Sequence, residues 1–203
     1  VVDPEAYFAT HGADALRLYI LFMAPPSDGV EWNDGGIEGT KRFLIKFWDN
    51  MTKLKDLENV ETSNEDSLVR TMNQTIFSVT NHLEKFEFNT GVSDLMKANN
   101  AISLYLNQNK TISIETKDLV LETMCNLLYP FSPHISSEIY LLHSNKDIST
   151  VDWPAYEESN LRNPTYELVI QINGKKKFTK EINTGTSQEE AEDICNSEFN
   201  IQV

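Results

Sequence analysis

Cysteine is almost missing from this 203-residue chain: there are two, Cys125 and Cys195, far apart and in unlike surroundings. That scarcity argues against a disulfide framework and for a reducing compartment, the cytoplasm or, as the alternative, the mitochondrial matrix. Cys125 lies among Met124, Leu127 and Leu128 and reads as a buried core thiol. Long apolar runs are missing as well. The longest, Leu16 to Ala24, is interrupted by Arg17 and stopped by Pro25-Pro26, far short of a membrane span, so no membrane partner is expected. The opening residues lack the basic-then-apolar pattern of a secretory leader, and none is expected. The four histidines have no partners at ligand spacing, which argues against zinc. A glycine-rich phosphate loop is absent, as is any set of nucleophile, base and orienter. No catalytic residue, no metal ligand and no cofactor is therefore assigned to this chain.

Positive charge is the last scarcity. Seventeen Lys and Arg face 31 Asp and Glu, a net charge of −14. Phosphate neutralisation supplies most non-specific affinity for nucleic acid, so this balance argues against a general nucleic-acid binder. It leaves room for a local basic patch on an acidic body.

What is present is helical periodicity. A hydrophobic content of 40% suits a globular chain with a real core, holding one large or two modest domains. Asp3-Pro4-Glu5 reads as a helix start and Gly12 as its end. A second helix is expected from about Asp14 to Met23, closed by Pro25-Pro26. From Gly36 to about Asp56 the residues Ile37, Phe43, Leu44, Phe47, Trp48, Met51 and Leu54 recur at helical spacing, with Lys41, Arg42, Lys46, Lys53 and Lys55 on the other faces. After a polar connector, Ser63 with Asp66 resembles a capping box. The next helix carries Leu68, Val69, Met72, Ile76, Val79, Leu83 and Phe86 on one side and is read as broken at Asn89-Thr90-Gly91. Another runs from Ser93 to about Asn107, and a last one from about Glu115 to Leu142, kinked or broken at Pro130 and Pro133.

The expected fold is mainly α, an antiparallel helical bundle joined by short connectors and followed by a small α+β domain. In that tail, Tyr166 to Ile172 and Lys175 to Ile182 read as strands around an Asn173-Gly174 hairpin turn, and Ser187 caps an acidic helix. No closing strand follows, so this domain is read as partial. The expected division is 1–33, a bundle at 34–150, a linker at 151–164 and the small domain at 165–203.

Four stretches resemble leucyl-tRNA synthetases, class I aminoacyl-tRNA synthetases of the bacterial or organellar type. Asp3-Pro4-Glu5 with Gly12-Ala13-Asp14 and Arg17-Leu18 is similar to the segment after the ATP-site KMSKS loop, a loop this sequence lacks. Phe22, Ala24-Pro25-Pro26, Glu31-Trp32, Gly36, Gly39 and Arg42-Phe43-Leu44 follow. Leu128 to Glu138 resembles part of the class I anticodon-binding bundle, and Trp153-Pro154 with Val169 to Lys175 resembles the family's small C-terminal domain. Lys176 and Lys177 depart from the family, which often has an apolar residue and then Arg.

The resemblance implies a parent enzyme that attaches leucine to tRNA(Leu) with ATP and Mg²⁺, both used outside this chain. It implies that the chain docks tRNA beside the parent's catalytic and editing domains, in a monomer. Lys175, Lys176, Lys177 and Lys180 are then tRNA contacts, with Lys41, Arg42, Lys46 and Lys53 of the bundle as further candidates, Arg42 the best of them. On a regular strand Lys175 and Lys177 share one face and Lys176 and Lys180 the other. Lysine alone reads differently: an edge strand guarded against aggregation, or a solvated helix face. Asp14 and Arg17, three apart on a helix, are read as a local ion pair with a structural role. Trp153, with Trp32 and Trp48, is read as a packing anchor, and His134 as a hydrogen-bonded helix residue. Two other readings stay open: the same region of an isoleucine, valine or methionine enzyme, or an acidic helical module that binds protein.

Overall fold

A computed structural model describes residues 3–61, 65–172 and 175–199. Ser63 and the Asn173-Gly174 turn lie outside the described residues. The chain divides into two compact units, residues 1–161 and 162–203.

The first unit contains α1 (Glu5–His11), α2 (Ala13–Met23), α3 (Asp34–Asp56), β1 (Glu58–Val60), α4 (Asp66–Glu84), α5 (Phe88–Gln108), β2 (Thr111–Ser113), α6 (Ile114–Leu128) and α7 (Pro133–Ser144). It is an antiparallel helical bundle. The apolar spacing read from the sequence becomes its core: Phe47, Met51 and Leu54 meet Met72, Ile76 and Val79, Leu95 and Ile102, and Leu121, Met124 and Leu128 in one buried cluster. Each such side chain is worth about 1.5–3 kcal/mol of burial, so the repeated stripe drives the bundle together. Cys125 is buried in that cluster, and burial pushes its thiol pKa up. Ala15 and Leu18 of α2 belong to the same core, so residues 1–33 are continuous with the bundle.

Pro130 and Pro133 end α6 and start α7, with Phe131 buried between them. Gly12, at φ 85°, turns the chain between α1 and α2, and Asp3 Oδ1 accepts from Glu5 N at 3.0 Å at the start of α1. Gly36 has a packing reason. A Cβ there would meet Tyr19 Cε2 at 2.4 Å, and Tyr19 is held by its own bond to Asn33 O at 2.7 Å. Gly39 faces open space, and nothing in the structure explains it.

Three expectations change. The break between α4 and α5 falls at Lys85–Glu87, and Asn89-Thr90-Gly91 lies inside α5. Phe86 is not a core residue: it stands past the end of α4 at φ 59° and is 67% exposed. Glu87 N bonds to His82 O at 2.8 Å and Phe86 N to Leu83 O at 3.1 Å, a left-handed helix end of the kind glycine usually supplies. Phe86→Gly is therefore expected to stabilise this unit by about 0.5–1 kcal/mol, read as a higher urea midpoint. A lower midpoint would mean that the Phe86–Phe88 ring contact, centroids 5.7 Å apart, outweighs the backbone strain.

The third change is a parallel pair, β1 with β2, where the sequence suggested only connectors. Buried Glu65 secures it, accepting from Ser113 N at 2.7 Å and from the Ser113 hydroxyl, with Tyr105 OH at 3.3 Å. Buried Lys117 donates to Lys55 O at 3.0 Å and Leu57 O at 2.6 Å, closing the end of α3. Desolvation lowers its pKa.

Residues 151–161, read as linker, lie in the first unit. Trp153 Nε1 donates to Thr80 Oγ1 at 2.8 Å, Glu157 N to Asn73 Oδ1 at 2.7 Å, and Gln74 Nε2 to Leu161 O at 3.0 Å. These bonds tie the stretch to α4, because its backbone groups find partners there rather than in water.

The second unit is a hairpin and a helix: β3 (Thr165–Ile172), β4 (Lys175–Asn183) and α8 (Gln188–Phe199). Ser187 and Glu190 form a reciprocal cap, Glu190 Oε2 accepting from Ser187 N at 2.8 Å and Ser187 Oγ from Glu190 N at 3.2 Å.

Candidate nucleic-acid interface

The two motifs flanking the core are joined directly. Asp14, near the start of α2, sends its carboxylate to the first turn of α7, 120 residues away: His134 N at 3.3 Å and His134 Nδ1 at 2.8 Å on Oδ1, and Ile135 N at 2.7 Å on Oδ2. Ser132, the residue that precedes α7, makes no side-chain cap of its own. Arg17 completes the contact through Nη2 to Pro130 O at 3.2 Å. The local Asp14–Arg17 ion pair expected from their spacing is replaced by this long-range clasp. The reason is electrostatic: a helix N-terminus offers a carboxylate free amides and a positive dipole end, a better partner than a solvated guanidinium. His134 is thereby a hydrogen-bonded helix residue.

Aromatic residues pack in a second, smaller core around Leu16, Tyr19 and Ile37. Trp32 stands edge-on to Tyr7 and Tyr19, with centroids 5.1 and 5.0 Å away, and its Nε1 donates to Asp34 Oδ1 at 2.8 Å. Tyr7 OH also donates to Asp34 Oδ1, which raises the tyrosine pKa and lowers that of the carboxylate.

Arg42 and Lys46 lie one turn apart on an exposed flank of α3. Lys46 Nζ donates to Asn100 Oδ1 of α5 at 2.8 Å. Beneath it, Asn50 Nδ2 donates to Asn99 O at 3.0 Å, Asn99 Oδ1 at 2.7 Å and Ser103 Oγ at 2.8 Å. This flank of the bundle is thus polar from surface to core.

The lysines of the second unit fall on β4, where Lys175, Lys176 and Lys177 are exposed and Lys180 is half-buried. Their faces differ from simple alternation. Lys175 pairs with Ile172 and Lys176 with Gln171, but Ile170 pairs with Phe178, so Lys177 is the extra residue of a bulge. The shift places Lys175 on the face of Phe178, Lys180 and buried Ile182, and Lys176 on the opposite face with Thr179 and Glu181. The bulge was invisible in the sequence because nothing in the run of lysines marks where pairing slips.

Among the described residues no group of three His, Cys, Asp or Glu gathers to hold a metal, and no helix is long and apolar enough to cross a membrane. A buried core built from interlocking helices makes the first unit a helical bundle domain. The chain belongs to the family of anticodon-binding domains of tRNA ligases, whose profile matches residues 65–192. It is 40% identical over 192 residues to a leucine–tRNA ligase of Prochlorococcus marinus subsp. pastoris, an alignment covering 90% of this chain and 22% of that protein. The corresponding enzyme of Thermosipho melanesiensis is 40% identical over 185 residues, covering 86% and 22%. That of Petrotoga mobilis is 36% identical over 215 residues, covering 100% and 26%. The chain thus spans about a quarter of the length of the curated relatives it matches. Its fold is similar to the crystal structure of a ternary LeuRS–tRNA–LeuAMS complex from Agrobacterium radiobacter K84. The TM-score is 0.75 and the identity 26%, over 97% of this chain and 27% of the other.

Proposed function

We propose that this chain is the tRNA-docking part of a leucine–tRNA ligase. It holds tRNA(Leu) so that the acceptor end reaches a catalytic domain that binds ATP and Mg²⁺ in the remainder of the parent protein. The observation that carries this reading is the agreement along the whole chain with leucine–tRNA ligases, together with a structural neighbour whose complex contains tRNA. Arg42, Lys46, Lys175, Lys176, Lys177 and Lys180 are the proposed phosphate contacts. Such contacts position RNA without reading its sequence. Asp14, Arg17 and Trp153 hold the scaffold. The parent acts as a monomer in a reducing compartment, the cytoplasm or the mitochondrial matrix.

The test is aminoacylation by the full-length parent with leucine, isoleucine, valine and methionine offered in parallel. Charging with leucine alone is the expected result. Charging with another of the four reassigns the amino acid, and no charging overturns the reading in favour of a protein-binding module. The isolated chain is expected to support no leucine-dependent ATP–pyrophosphate exchange.

A further inference from the structure

A polar cleft of the first unit lies between α3 and α5, about 610 Å³ in volume. Three lysines line it, Lys46 and Lys53 from α3 and Lys110 just past α5, together with Asp49, Asp56 and Asn107. Of the other lysines in this unit, Lys41 donates to Thr10 O, Lys55 to Leu142 O, Lys117 to Lys55 O and Leu57 O, and Lys97 pairs with Asp94. The side chains of Lys53 and Lys110 are exposed and without a hydrogen bond or ion pair among the described residues, as are Lys85 and Lys146, but only Lys53 and Lys110 share a cleft with a third lysine. Asp49 and Asp56 form no ion pair with these lysines among the described residues, so each ammonium keeps room for an outside partner.

From this arrangement we infer that the α3–α5 cleft is a seat for an RNA ribose–phosphate backbone. The inference rests on the tRNA-docking reading and adds Lys110 to it, on the far wall from Lys46 and Lys53. The mixture of charges selects the ligand. Three ammonium groups beside two carboxylates hold a lone anion weakly, because the net charge of the lining is small. A polymer that brings several phosphates in series can engage the lysines separately. Lys46 and Lys53 are seven residues apart on a helix, about 10 Å along its axis, so they reach different phosphates. The carboxylates of Asp49 and Asp56 accept hydrogen bonds, and the ribose 2′-hydroxyls of RNA offer donors between the phosphates. Lys46, bonded to Asn100 Oδ1, is anchored to α5, and the Asn50–Asn99–Ser103 bonds fix the two walls against each other. The floor is therefore set before any ligand arrives.

The experiment is tRNA binding by the full-length ligase that contains this chain, titrated between about 50 and 200 mM salt, the range over which phosphate contacts are most visible. Lys53→Glu with Lys110→Glu is compared with Lys85→Glu with Lys146→Glu, whose lysines are exposed away from the cleft. The cleft variant is expected to bind tRNA about 10-fold more weakly or worse, with the salt slope reduced by about two, one per lysine. The control pair is expected to change little. Should the Glu pair fold poorly, Lys53→Gln with Lys110→Gln decides, because it removes charge without adding repulsion. Wild-type binding with an unchanged slope in the Gln pair overturns the cleft and leaves the docking reading intact. An equal loss in the control pair also overturns the cleft. No tRNA binding by the wild type overturns both.

Discussion

Asp14→Ala is expected to destabilise the first unit by about 2–4 kcal/mol, through a lost helix cap and the loss of charge-assisted bonds to amides left without acceptors. The carboxylate takes two backbone donors and one imidazole nitrogen at the head of α7, and its side chain is only 12% exposed. Water therefore replaces it poorly. For a unit of this size that corresponds to a fall in Tm of roughly 5–15 °C. Arg17→Met removes one bond from an exposed guanidinium to Pro130 O and is expected to cost under about 1.5 kcal/mol. The inequality separates the long-range clasp from the local ion pair that spacing suggested, since breaking a two-member ion pair from either side has similar effects. Equal losses in the two variants would show that the Asp14 bonds to α7 are not what stabilises this junction.

The second large effect concerns the lysines of β4. Lys175→Glu, Lys176→Glu and Lys177→Glu together, in the full-length parent, are expected to weaken tRNA binding about 10-fold or more at low salt and to flatten the salt slope by about three. Leucine activation, read as ATP–pyrophosphate exchange, should be unchanged, because the substitution lies outside any catalytic domain. The bulge at Lys177 adds a finer expectation. Lys176, on the face away from Phe178 and Ile182, should matter more singly than half-buried Lys180. An unimpaired triple variant would return these lysines to the role of an edge protected by charge.

Elements whose signal is carried by the residues within them were legible in the sequence. The helices α3 and α4 announced themselves through Phe43, Phe47, Met51, Met72, Ile76 and Val79, because an apolar stripe at helical spacing has no other stable use. The break around Pro130 and Pro133 followed from a missing donor and a fixed φ. What escaped was decided by partners far away in the chain. Glu58–Val60 is three residues long and polar, and only its pairing with Thr111–Ser113 makes it a strand. Asp14 gave no sign that its partner stands 120 residues off. Phe86 misled for a different reason: it continued the apolar stripe of α4, while the chain had already left the helix. Of the candidate interface, the lysine-rich strand was legible as a run of charge. The pairing of Lys53 with Lys110 across one cleft was not, because it depends on how α3 and α5 pack.

The β1–β2 pair has a mechanical meaning. It precedes α4 and follows α5, so its ladder sutures the root of the α4–α5 hairpin into a closed ring. A parallel pair can form only after the whole intervening hairpin has been laid down, which makes it a late contact with a large loop-closure entropy. Once formed, it leaves the two helices no freedom to splay at that end. Any flexing of the hairpin must pivot about this suture, and the displacement grows with distance toward the tip where Phe86 stands. Amide exchange should register the arrangement as one cooperative opening unit, with α4, α5 and both short strands gaining and losing protection together.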